Sequence, residues 1–110
     1  MSVTPKMIFE DKLAPHISGN KELSQHLTAI YQFNITGNEG GNWHIDLSPE
    51  SNQVVPGSAD NPNCTITIAD ADFVNLVEGR LNPQMAFMTG KLKVKGDLGL
   101  ALKLGKILKA

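Results

Sequence analysis

Apolar positions change their spacing several times along the chain. Tyr31, Phe33 and Ile35 alternate with Gln32, Asn34 and Thr36; after a glycine-rich turn, Trp43, Ile45 and Leu47 alternate with His44 and Asp46. A period of two with one wet face predicts a β-hairpin lying half-buried on a core. Ser48 to Asn52 reads as a turn and Gln53 to Val55 as a brief third strand. Pro56 to Asn63, with two prolines, a glycine and two asparagines, reads as a loop, and Thr65 to Ile68 as a fourth strand. Between Gly90 and Gly96, lysines alternate with Leu92 and Val94, which predicts a short fifth strand.

Helical spacing fills the remainder. Thr4-Pro5 combines a capping hydroxyl with proline at the first helical position. Ile8, Phe9 and Leu13 then share a face, and Pro15 is expected to end that run. Asn20 is placed to cap a second short helix carrying Leu23 and Leu27. Asp70 is expected to cap a helix with Phe73, Leu76 and Val77 on one face, closed by Gly79. Asn82-Pro83 starts another helix, closed by Gly90. The last segment, Asp97 to Leu108, is apolar around roughly 220° of a helical circumference, about twice the ~100° stripe a helix on one core surface needs. Such a helix has two apolar things to cover: its own sheet, and either more protein, a partner, a membrane or an apolar ligand. The expected architecture is one α+β domain over residues 1–110. It has a five-stranded mixed sheet with about five helices packed mainly on one face. A parallel pairing of the fourth and fifth strands would need the intervening helices as a crossover.

Charge adds an asymmetry that the net value of −1 conceals. From Glu22 to Glu78 there are eight acidic residues and no lysine or arginine, whereas from Lys91 onward there are six lysines against Asp97. This reads either as a solvated polar face or as a basic end offered to an anionic membrane surface or a phosphate-bearing ligand. With one arginine, one tryptophan and no basic-aromatic interleaving, no nucleic-acid partner is expected. The first fifteen residues lack a basic-then-apolar leader pattern, so a cytoplasmic location is expected. No run approaches the ~18 apolar residues of a membrane span.

Catalytic signatures do not emerge. His16, His26 and His44 lack metal-ligand spacing, and Thr89-Gly90-Lys91 lacks both the upstream glycine and the following hydroxyl residue of a phosphate loop. A single cysteine, Cys64, excludes an internal disulfide and reads as a small buried apolar residue. Met85, Phe87 and Met88 form a methionine-aromatic group that suits either plain core or an irregular apolar ligand. A binding protein is expected, not an enzyme, and without cofactor or metal.

Three runs then carry a resemblance: Cys64-Thr65-Ile66-Thr67-Ile68-Ala69-Asp70-Ala71-Asp72-Phe73, Gly79-Arg80-Leu81-Asn82-Pro83-Gln84-Met85-Ala86-Phe87, and Gly90-Lys91-Leu92-Lys93-Val94-Lys95-Gly96 leading into Asp97-Leu98-Gly99-Leu100-Ala101-Leu102-Lys103-Leu104. Together with Trp43-His44-Ile45-Asp46-Leu47, they resemble the sterol carrier protein-2 family over about Ile30 to Leu104. The final Leu108-Lys109-Ala110 is not a peroxisomal address, so the likeness is to short stand-alone members. The resemblance implies a helix-covered sheet enclosing an apolar tunnel. It also implies a lipid ligand, whether sterol, fatty acid or fatty acyl-CoA, bound without chemistry.

The strands would then supply Phe33, Trp43, Ile66 and Leu92 to the tunnel. The helices would supply Phe73, Leu76, Val77, Leu81, Met85, Met88, Leu98 and Leu102. Gln84 either meets the lipid head or caps its short helix, and Lys103, Lys106 and Lys109 stand near the mouth. The competing reading is an interaction module of the same fold. It docks through its apolar last helix, and it predicts self-association or a stable complex.

Overall fold

The computed structural model describes residues 3–19, 28–48, 51–101 and 103. The expected helix carrying Leu23 and Leu27, part of the turn after Ser48, and Leu102 with residues 104–110 of the last expected helix lie outside them. The described elements are α1 (residues 5–19), β1 (Ala29–Thr36), β2 (Gly41–Ser48), β3 (Ser51–Pro56), β4 (Cys64–Ala69), α2 (Asp70–Val77), α3 (Pro83–Met88), β5 (Leu92–Gly96) and α4 (Leu98–Ala101). The five strands form one mixed sheet in the order β3-β2-β1-β4-β5. Four helices are present among the described residues, against the five or so expected.

Period-two patterning sets which face is buried. Register places Tyr31 beside Ile45 and Cys64, and Phe33 beside Trp43 and Ile66. Ile68 stands beside Leu92. These residues are all buried and form the inner face, on which the helices lie. A one-residue slip would send every one of them to water, so burial fixes the register.

Strands β4 and β5 pair antiparallel, and α2 and α3 therefore connect two neighbouring strand ends instead of forming a crossover. The parallel pair is β1 with β4. Its crossover is residues 57–63, which run over the opposite, polar face of the sheet. There the Ala59 N–H donates to Gln32 Oε1 at 2.7 Å, and His44 Nδ1 lies 3.1 Å from the Gly57 carbonyl. Gln32 is buried on that polar face and also donates to Asn34 Oδ1 at 3.1 Å, so its burial leaves no orphaned group.

Pro15 does not end the first helix, contrary to expectation. Residues 5–19 run on as Pro5–Met7 in α form, Ile8–Leu13 as a wider π turn and Ala14–Gly19 in α form again. The Ala14 N–H reaches back to the Phe9 carbonyl. Proline breaks an α-helix through a lost donor and a ring clash with the carbonyl four residues back, and the wide turn ahead of Pro15 spreads that geometry. The continuation keeps Ile17 buried along with Ile8, Phe9 and Leu13.

Asp70 is the first residue of α2, one position inside the cap expected of it; one carboxylate oxygen accepts from the Ala71 N–H at 2.8 Å at the helix start, and the other accepts from the Glu39 N–H at 3.0 Å. Gly37 takes a φ of 103°, which side-chain-bearing residues rarely adopt, and a Cβ there would meet that carboxylate at 2.6 Å, so glycine suits the turn between β1 and β2.

Candidate functional site

The inner face of the sheet divides into two halves with different fillings. Over β1 and β2 the filling is aromatic. Phe9 of α1 stacks on Trp43 at 4.7 Å and on Phe73 at 4.8 Å, and meets Phe33 edge-on at 5.3 Å. Phe33 and Phe73 meet edge-on at 6.1 Å. Offset and edge-to-face pairs at these separations add about 0.5–1.5 kcal/mol each beyond their buried area. The rings of this half therefore pack directly on one another. Phe9 is its centre and was absent from the expected site set; the signal for it was its place on the apolar face with Ile8 and Leu13.

Among the described residues the covering over β4 and β5 is thinner. Leu92 is buried beside Ile68, and Val94 is half-buried beside Ile66. Above them lie α3 and α4. Asn82 caps α3 by accepting from the N–H groups of Gln84 and Met85, at 2.8 and 3.4 Å. Proline at its first position needs no donor there. Within α3 only Ala86 is buried, while Met85 is 55%, Phe87 48% and Met88 79% exposed.

Asp97 starts α4 in the same way, accepting from the Gly99 and Leu100 N–H groups at 2.8 and 3.3 Å. Among the described residues, a hydrogen bond from the Tyr31 hydroxyl to the Leu100 carbonyl at 2.7 Å ties α4 to the sheet. Leu100 is half-buried, and Leu98 is 55% exposed.

The expected site residues thus fall into two groups. Phe33, Trp43, Ile66, Phe73, Leu76 and Leu92 are buried together, with Val77 and Leu81 half-buried against them. Gln84, Met85, Met88 and Leu98 are exposed, and Leu102 is outside the described residues. Because Asn82 supplies the cap of α3, the Gln84 side chain is not needed for it.

Polar chemistry near this region is muted. Burial pushes the Cys64 thiol up to about 11, with the Asp97 carboxylate adding to the shift, so it stays protonated at neutral pH. Burial raises the Tyr31 phenol further still, helped by Cys64 and Asp97. A separate cleft of about 440 Å³ lies at the start of α1, where Thr4, Glu39, Asp70, Asn75, Glu78 and Arg80 line much of it. Val3, Pro5, Ala71 and Val74 supply the rest of its lining, and it contains none of the expected lipid-facing residues. Among the described residues no helix is long and apolar enough to cross a membrane.

Comparison with known proteins places this geometry. The chain is 44% identical over 92 residues to hydroxysteroid dehydrogenase-like protein 2 of Xenopus laevis, covering 83% of this chain and 22% of that protein. It thus spans about a fifth of the length of such relatives. Its fold superposes on the sterol carrier protein domain 2 of Helicoverpa armigera with a TM-score of 0.75 at 32% identity, over 99% of this chain and 92% of that one. It superposes equally on sterol carrier protein-2 of Aedes aegypti in complex with palmitate, a C16 fatty acid, with a TM-score of 0.76 at 25% identity over 99% and 97% of the two chains. The model of the SCP-2 sterol transfer family matches residues 9–109, from the phenylalanine at the centre of the aromatic cluster through α4 and beyond. On that match, and on the shared sheet and helices, the chain belongs to the SCP-2 sterol transfer family.

Proposed function

We propose that the protein binds and transfers a lipid, holding its acyl or sterol body between the inner face of the sheet and the helices, without chemistry of its own. The observation that carries this reading is the unequal filling of the inner face by the described residues. Phe9 closes the β1–β2 half, while α3 and α4 leave Met85, Met88 and Leu98 exposed beside the buried Leu92. In this reading Ile66, Leu76, Val77, Leu81, Leu92 and Leu102 line an apolar tunnel. Phe33, Trp43 and Phe73 form its rigid back, Met85, Met88 and Leu98 its mouth, and Gln84 stands where a polar head would emerge.

The energetics favour a filled site. An empty apolar cavity of ~300 Å³ costs roughly 7 kcal/mol at ~24 cal/mol per Å³. That rivals a typical total stability of about 5–15 kcal/mol. An acyl chain of about 15 methylenes gains on the order of 12 kcal/mol gross, before association costs. The palmitate bound to the Aedes aegypti relative supports a fatty acid among the ligands. A fatty acyl-CoA or a sterol would use the same walls, and Lys103 stands near the proposed mouth for a carboxylate or phosphate.

The test is titration of delipidated protein with a fluorescent fatty acid, alongside native mass spectrometry of freshly purified protein. Saturable one-to-one uptake and a lipid-sized mass increment are expected. A clean unliganded species that also fails to take up the probe would remove the proposal.

A second reading draws on the length of the relatives, of which this domain forms only a part. The same apolar face then docks on a partner protein, to which the domain is accessory. That reading predicts self-association or a stable complex at all lipid levels, and sedimentation before and after delipidation separates the two.

A further inference from the structure

Helix α4 lies over β4 and β5, yet none of its four residues is buried, whereas α1, α2 and α3 each bury at least one apolar side chain. Leu100 and Ala101 are half-buried, and Leu98 is exposed. A single helical turn has no stability of its own, so it holds its place only where something fastens it. The backbone fastens its start. The Asp97 N–H donates to the Asn63 carbonyl at 3.1 Å, directly after Gly96 pairs with Cys64 in the sheet. Tyr31 holds its end from below, through the hydroxyl bond to the Leu100 carbonyl at 2.7 Å.

The two ends differ in what moving them would disturb. At the start, Asp97 is tied to the loop beside β4, and displacing it would strip the end of β5 from the sheet. At the other end the Leu100 carbonyl also accepts from the Lys103 N–H at 3.1 Å, so it keeps a partner when the Tyr31 bond breaks. The phenol finds water as soon as α4 lifts. Opening therefore loses about one hydrogen bond and the contacts of two half-buried residues. Beneath α4 lie Tyr31 and Cys64, side by side in register and fully buried at one end of the inner face. Swinging α4 about Asp97 uncovers that end while β5 stays paired with β4.

We infer that Tyr31 is a positioning residue for lipid exchange: its hydroxyl holds α4 down over the lipid-facing half, and breaking that bond is the step that opens it. This role rests on the lipid-carrying reading above, whereas the hold on α4 can be measured without lipid. Where the closed form predominates, entry and exit both scale with the open fraction, so their ratio does not change with it.

The test compares the wild type with Tyr31→Phe, which removes the hydroxyl and keeps the ring. Stopped-flow entry and release of a fluorescent fatty acid should both quicken by roughly two- to tenfold, the worth of one hydrogen bond, with Kd changed less than about twofold. Cys64, the single cysteine, reports the opening itself. Its labelling by a water-soluble aromatic disulfide, in the absence of lipid, should quicken by the same factor in Tyr31→Phe. Saturating palmitate should slow the labelling in both proteins. In the wild type the labelling rate should not depend on dilute urea, which marks a local opening. Thr89→Val is the control, since it removes the hydroxyl bonded to the Met85 and Ala86 carbonyls at the end of α3. It should leave entry, release and labelling unchanged.

Tyr31 loses this role if Tyr31→Phe exchanges lipid as the wild type does, or if release alone quickens and Kd weakens in step, as a purely structural contact would give. Wild-type labelling that rises with urea along with global unfolding would overturn it as well. Exchange quickened by Thr89→Val and not by Tyr31→Phe would move the opening to α3. If neither protein takes up fatty acid while Tyr31→Phe still labels faster, the lipid-carrying reading falls and the hold of Tyr31 on α4 stands. Unchanged labelling overturns that hold whatever the lipid result.

Discussion

Tyr31 and Cys64 sit side by side on the inner face, Tyr31 on β1 and Cys64 on β4, and both are fully buried. Their packing makes a prediction about alkaline pH. Burial, with Asp97 nearby, raises the Cys64 thiol from 9.0 to about 11 in the folded chain. The thiol form is favoured by folding, so its contribution is fully present below the unfolded value and is lost as pH rises through the folded one. Stability should therefore fall between about pH 9 and 11 by about 2 kcal/mol from this residue. The Tyr31 phenol, raised in the same direction, extends the loss to higher pH. Urea unfolding from pH 7 to 11 measures the slope, and Cys64→Ala should flatten it without abolishing it. A slope unchanged by that substitution would refute the assignment. The burial of Cys64 was legible in the alternating pattern of its strand. The bond from Tyr31 to the Leu100 carbonyl was not, because it joins residues far apart in sequence and no local pattern encodes such a contact. Phe9 lies between these cases: its face could be read, but its three ring partners come from three other elements.

Among the elements, α3 shows most clearly how local signals decide structure. It is short, buries little beyond Ala86, and so depends on its cap more than on packing. Asn82→Ala should cost about 0.5–2 kcal/mol and expose the α3 amides to faster hydrogen exchange. Fatty acid affinity should drop with it if α3 shapes the proposed mouth, whereas exchange in β1 and β2 should be unchanged. Uniform acceleration across the chain would argue against a local role. The Asn-Pro start and glycine end of α3 were readable because capping is local chemistry. Strand alternation was readable for the same reason, and β3 and β4 extend only a residue or two beyond their expected limits. Pro15 misled because a π turn, set by packing of Ile8, Phe9 and Leu13 on the sheet, relieved the clash that local rules anticipate. Asp70 was half legible: one carboxylate oxygen serves the helix start through the Ala71 N–H, and the other ties the distant turn at Glu39, a contact that no local pattern encodes.

At the scale of the whole molecule the two halves of the inner face differ in what holds them. The β1–β2 half is locked by the rings around Phe9, and the polar back of the sheet is pinned by the loop bonded to Gln32 and Ile30. The β4–β5 half is an edge, and among the described residues it is covered by two short helices and tied through the Tyr31 bond. Local opening is cheapest where few apolar contacts must be broken, so the second half should open at lower free energy than the first. A ligand that binds only the closed state stabilises by RT ln(1 + [L]/Kd), about 2.7 kcal/mol at a hundredfold excess over Kd. Because the proposed tunnel borders the weaker half, that stabilisation should not be spread evenly. Hydrogen exchange with and without palmitate should show slowing of up to roughly a hundredfold in β5, α3 and α4, and little change in β1, β2 and α1. Protection concentrated instead around the cleft at Thr4 and Glu78, or equal protection everywhere, would place the ligand elsewhere in the fold.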